Sequence, residues 1–174
     1  MRFLSSILLL SSCLSLAASD AAQAQQTGRA ERLLGGNENP PVISDGTGQF
    51  LPQISVDQLS FELSYDGLAD VQEAHLHIAN PSNNGGIVVF LCSNLGNVPA
   101  GATPRECPPP PGEVAGDIIA TDVLAVVEDT TTVIAAGDLP GLIQLIRQGS
   151  VYANVHTLVH PAGEIRGQLF PRIR

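Results

Sequence analysis

Four segments of the chain alternate apolar and polar side chains with a period of two. Leu59, Phe61, Leu63 and Tyr65 are separated by Ser60, Glu62 and Ser64, and Ala74, Leu76 and Ile78 by His75 and His77. Val151, Ala153 and Val155 alternate with Tyr152, Asn154 and His156, and Ile165, Gly167 and Leu169 with Glu164, Arg166 and Gln168. Successive side chains of a strand point to opposite faces, so this period requires β-structure and is incompatible with a helix. Turn signals stand between these runs at Asp66-Gly67, Asn83-Asn84-Gly85-Gly86 and Pro161-Ala162-Gly163. Ile87 to Leu91 is a continuous apolar run, as in a strand buried on both faces.

Gln49 to Ile54 and Glu113 to Ala120 read as further strands, while 122–135 stays ambiguous. One helix is convincing, from Asp138 to Gln148: Asp138 caps it, Leu142, Ile143, Leu145 and Ile146 form its apolar stripe, and Gly149 stops it. With 17 glycines and 13 prolines, long helices have little room. The predicted fold is all-β: an immunoglobulin-like Greek-key β-sandwich or barrel of about seven strands with one short helix.

Charge narrows the function. The net charge is −9, and all 8 basic residues are arginine. A chain without lysine supports neither Schiff-base chemistry nor a P-loop. An acidic surface is also a poor match for nucleic acid, so no nucleic-acid partner is expected.

The N-terminus reads as an export signal. Met1-Arg2 precedes an apolar stretch from Phe3 to Leu10 that is too short and serine-rich to span a bilayer, so no membrane span is expected. Ala22-Gln23-Ala24 has the small-residue spacing of a signal-peptidase site, which makes 1–24 the signal peptide and 25–33 a polar, flexible segment before the domain at 34–171. Leu10-Ser11-Ser12-Cys13 also resembles a bacterial lipobox, but Cys13 lies unusually early and apolar residues continue beyond it. The expected location is secreted or periplasmic. Cys92 and Cys107 then remain as a pair in an oxidising compartment, and no CxxC spacing supports a zinc pair. A disulfide is the reading, closing a Pro- and Gly-rich loop within a surface insertion at 92–111.

Three blocks in order carry a family likeness. Leu34-Gly35-Gly36-Asn37-Glu38-Asn39-Pro40-Pro41-Val42, Ala74-His75-Leu76-His77-Ile78, and Tyr152-Ala153-Asn154-Val155-His156-Thr157 with Pro161-Ala162-Gly163-Glu164-Ile165-Arg166-Gly167-Gln168 resemble the CHRD domain, first described in chordin and common in microbial exported proteins. The resemblance spans nearly all of the chain after the leader. It implies an immunoglobulin-like β-sandwich in an extracellular or periplasmic protein, and no settled activity. Chordin's antagonism of growth factors does not carry over to a lone domain without cysteine-rich modules.

All 4 histidines fall within or beside these blocks. His75 and His77 share one strand face, and His156 lies on the matching polar face of a later strand. Should the strands be neighbours, the three imidazoles can meet as ligands for copper or zinc. Asn154, Glu164 and Arg166 would then stand behind them. The competing reading is a hydrogen-bonded network in which Arg166 pairs with Glu164 or Glu38. His160, beside Pro161, reads as a solvated loop residue. The His-x-His pattern is similar to that of copper–zinc superoxide dismutases, but a bridging histidine and nearby aspartate are not recognisable. No GxSxG, HExxH or phosphate loop occurs, so no catalytic residue is named. The leading expectation is a non-enzymatic module with a protein or matrix partner; the alternative is a copper- or zinc-binding protein using His75, His77 and His156.

Overall fold

The computed structural model describes residues 26–27, 31–55 and 57–170. Eleven strands run in chain order: β1 (Gln26–Thr27), β2 (Glu31–Leu34), β3 (Thr47–Ile54), β4 (Leu59–Asp66), β5 (Val71–Ile78), β6 (Ile87–Ser93), β7 (Gly112–Ile118), β8 (Val126–Glu128), β9 (Thr131–Ile134), β10 (Val151–Thr157) and β11 (Ile165–Leu169). One helix, α1 (Leu139–Arg147), precedes β10. Nine strands form a single antiparallel sheet in the order β6-β5-β10-β11-β2-β3-β4-β7, with β1 also on β3. The sheet curls into a nearly closed barrel, so the all-β expectation with one short helix holds. The strand count exceeds the expected seven, partly because the ambiguous 122–135 stretch contains the separate β8–β9 hairpin.

Alternation in β4 buries Leu59, Phe61, Leu63 and Tyr65, and these meet Phe50 of β3 and Val114 of β7 in one core. Asp138 caps α1 as expected, its carboxylate accepting the Gly141 N–H at 2.9 Å, and Leu142, Ile143 and Ile146 of the helix enter the core. Two expectations need correction. The flexible segment predicted over 25–33 is strand where it is described: Glu31–Leu34 pairs with β3 and β11, and Leu33 is fully buried. The signal peptide expected at 1–24, with Cys13, lies outside the described residues.

The loop closed by Cys92 and Cys107 is also more than a surface insertion. The disulfide is present, with Cα atoms 5.0 Å apart. It lies where the edge strand β6 approaches the segment leading into β7. Ser93 N–H donates to the Arg105 carbonyl at 2.9 Å, and the Tyr65 hydroxyl donates to that of Pro108 at 2.6 Å. The Asn94 side chain donates to the Val71 and Cys107 carbonyls and accepts the Cys107 N–H. The insertion stitches the seam of the barrel.

Candidate metal centre

Strand β10 lies between β5 and β11, which brings the polar positions of three motif strands into register. Asn154 stands opposite both His75 and Arg166, Tyr152 opposite both His77 and Gln168, and His156 opposite Glu73. The aliphatic positions of the same strands fill the barrel interior. The polar face, however, is not solvated. His75 is 1% exposed, Asn154 and Arg166 2%, Glu38 and His77 7%, and Glu73 and His156 8%.

Two loops cover that face. The 35–42 segment folds on itself through Val42 N–H to the Gly35 carbonyl, and the 79–86 turn through Ile78 N–H to the Gly86 carbonyl. They are tied to each other, the Asn39 side chain donating to the Ser82 carbonyl and that of Asn84 to the Asn39 carbonyl. Gly85 makes the second fold possible, since a Cβ there would stand 1.9 Å from the Ile78 carbonyl oxygen. Gly163, at φ +121°, closes against Glu38 and Asn154, where a Cβ would stand 2.6 Å from the Glu38 carboxylate.

Under this cover the three imidazoles converge. One ring nitrogen from each of His75, His77 and His156 lies within 4.8 Å of the other two. His77 Nδ1–H donates to the Gly85 carbonyl at 2.9 Å, and His156 Nδ1–H to the Pro161 carbonyl at 3.0 Å. Carbonyl oxygens only accept, so both Nδ1 atoms carry the proton and both Nε2 atoms of the neutral rings keep a lone pair. Nε2 of His77 is buried with no hydrogen-bond partner. Nε2 of His156 faces His75 Nδ1 and the Asn154 amide oxygen, each at 3.0 Å. With the proton on Nδ1, Nε2 and that oxygen are both acceptors and no hydrogen bond joins them.

Electrostatics keep the rings neutral. Burial, then the charges that His156 and His77 would carry, pushes His75 down to about 2. Burial takes His77 down to about 4 against the opposing pull of the Gly85 carbonyl. Burial also lowers His156, opposed by the Pro161 carbonyl and Glu73. Neutral imidazole is the metal-binding form, and a carbonyl on the remote nitrogen is the usual way of aiming its lone pair.

The neighbours differ from expectation in part. Asn154 touches His156. Glu164 does not face the rings: its oxygens accept from Ser44 Oγ and Thr157 Oγ1, each at 2.6 Å, pinning the β10–β11 turn to the 35–46 segment. Arg166 pairs closely with neither Glu164 nor Glu38. It donates to the Asn83 carbonyl at 2.8 Å and the Asn84 side-chain oxygen at 3.2 Å, and its guanidinium stacks 3.4 Å above the Tyr152 ring. Tyr152 in turn lies parallel to His77 at 4.8 Å, so Arg166 braces a ligand through one aromatic ring. The carboxylate beside the site is Glu73, 3.7 Å from His75 Nε2. Glu38, near Asn154 and Arg166, is pushed up to about 7, burial outweighing the arginine. Glu73 lies two residues from His75 on the same strand, and the Gly85 and Pro161 carbonyls leave no trace in residue type.

The blocks that build this site are those of one family, whose pattern matches residues 30–169 of the chain. The chain belongs to the CHRD domain family. No curated protein and no solved structure matches it. Its three CHRD blocks are thus one spatial unit: the first supplies the cover, the second two rings and the third the remaining ring with its supports. No helix among the described residues is long and apolar enough to cross a membrane.

Proposed function

We propose that this chain is an exported, non-enzymatic CHRD-domain protein that holds a copper or zinc ion on His75, His77 and His156. One observation carries the reading. Two rings have Nδ1–H committed to backbone carbonyls, which leaves their Nε2 lone pairs free, and one ring nitrogen from each of the three histidines lies within 4.8 Å of the other two. Zinc needs nitrogens at about 2.0–2.1 Å, a contraction that small ring movements supply. Burial of all three rings suits holding an ion better than turning over a substrate. Export is supported by the disulfide and by the family.

The direct His75–His156 contact favours a second reading, in which His75 Nδ1–H donates to His156 Nε2 and the cluster only stabilises a module that binds a protein or matrix partner. Melting temperature with Zn(II) or Cu(II), on protein purified without a histidine tag, separates the two. An ion that binds the folded site should raise it at pH 7.5. His77→Ala and His156→Ala should abolish the increment, and His160→Ala should keep it. Equal responses from all three variants and the parent would leave only the network.

A further inference from the structure

Taking the three-histidine site as proposed above, we infer that it is selective for monovalent copper, Cu(I), over Zn(II) and other divalent ions. Imidazole serves copper and zinc alike, so donor type does not decide between them. Charge and coordination number do.

The three ligands are neutral and bring no charge to the ion. The carboxylate beside them is Glu73, whose Oε1 stands 3.7 Å from His75 Nε2 and is held there by Ser93 Oγ at 2.9 Å. Arg166 lies on the other side, stacked on the Tyr152 ring that covers His77. Its cation opposes positive charge on His77 and opposes a bound cation in the same way. Glu38 lies beside Arg166 and Asn154, and its burial favours the neutral carboxyl. Glu73 and Arg166 offset each other, so a monovalent ion adds one positive charge and a divalent ion two among rings that are 1–8% exposed. The solvation lost on burial rises with the square of the charge, about four times more for a divalent than for a monovalent ion of equal size.

Coordination number acts in the same direction. Cu(I) is satisfied by three nitrogens in a plane, whereas Zn(II) takes four ligands. The extra donor within reach is the neutral Asn154 amide oxygen, 3.0 Å from His156 Nε2. On the flank of His75 the Phe90 ring packs edge-on, with centroids 4.4 Å apart, and offers an ion no ligand atom.

The test is competitive titration of the full chain, without a histidine tag and under anaerobic conditions. Cu(I) is kept reduced by ascorbate, which leaves disulfides intact, and is competed against bicinchoninate. Zn(II) is competed against a chromophoric chelator, and Ag(I) serves as a monovalent ion with no redox chemistry. Cu(I) should bind at least ~1000-fold more tightly than Zn(II), a gap readily produced by one additional buried charge. Ag(I) should follow Cu(I), and His77→Ala should lose both. Asn154→Asp, which sets an anionic oxygen beside the same ion, should raise Zn(II) affinity at least ~10-fold and Cu(I) affinity far less. Zn(II) binding within ~10-fold of Cu(I) would overturn the selectivity while leaving the metal site in place. Absence of binding by all three ions would remove the site itself.

Discussion

Nδ1 of His75 lies 3.0 Å from Nε2 of His156, although 81 residues separate them in the chain. Two neutral, buried imidazoles at that distance share either a proton or an ion. The carbonyl of Pro161 fixes the His156 tautomer, and that of Gly85 fixes the third ring, His77. A proton between His75 and His156 satisfies those two nitrogens and leaves the His77 lone pair buried without a donor. An ion engages all three.

Acid should unfold the protein through these rings. The folded-state values of His75, His77 and His156 lie below the ordinary 6.5. Their contribution is therefore fully present above about pH 6.5 and is lost as pH falls toward the folded values. Glu38 has the opposite sign: raised from 4.5 to about 7, it favours the fold below about pH 4.5 and that contribution is lost as pH rises through about 7. Three histidines oppose one carboxyl between those limits, so stability by urea denaturation should climb from pH 4.5 to about 6.5 and decline slightly beyond. Glu38→Gln should remove the decline and keep the climb. A flat profile below pH 6.5 would show that the rings are not held neutral.

Reduction of the Cys92–Cys107 bond should weaken the barrel at its seam. Closing 15 residues contributes about 3 kcal/mol by loop-closure entropy. Cys92→Ser should lose up to that amount in equilibrium unfolding, and both thiols should resist alkylation until reduction. Free thiols in the native protein would contradict the assignment.

Gly85→Ala tests how the cover supports the site. A methyl group 1.9 Å from the Ile78 oxygen must displace the turn, at about 1–3 kcal/mol for an overpacked contact. The displaced turn takes its carbonyl away from His77, so metal affinity should fall as well. A variant with parental stability and affinity would show that the carbonyl does not hold the ring.

Arg166→Lys should not be tolerated as a conservative change. The guanidinium stacks on Tyr152 while bonding Asn83 and Asn84, and an ammonium cannot reproduce that planar fork. Loss of a desolvated cation–π contact of about 2 kcal/mol, with the hydrogen bonds reduced, should appear as a lower urea midpoint. An unchanged midpoint would mean that the stack contributes nothing.

Period-two patterning made the motif strands legible, and with them the shared face of His75 and His77 and the matching face of His156. It could not show that this face is buried. Polar residues at alternate positions ordinarily mean solvent, and here the 35–42 and 79–86 loops, with the β10–β11 turn, cover them instead. For the same reason Glu31–Leu34 escaped notice as strand: Leu33 is its one fully buried residue, and its pairing comes from distant β3 and β11. Arg166 and Glu164, two residues apart, suggested a pair; they diverge because Glu164 is taken by Ser44 and Thr157 beyond the start of β11. Backbone carbonyls, which set two of the three tautomers, have no residue-type signature.

The central claim is that unshared nitrogens of His75, His77 and His156 receive one ion. A long-range proton–nitrogen NMR spectrum of the imidazoles, taken before and after one equivalent of Zn(II) or Ag(I), reads those atoms directly. Without metal, His77 and His156 should each be protonated at Nδ1 with an unprotonated Nε2. With metal, both Nε2 resonances and one nitrogen of His75 should shift together to a metal-bound position, and those of His160 should stay. Resonances of the three rings that do not move at saturating metal, or shifts confined to His160, would contradict the account.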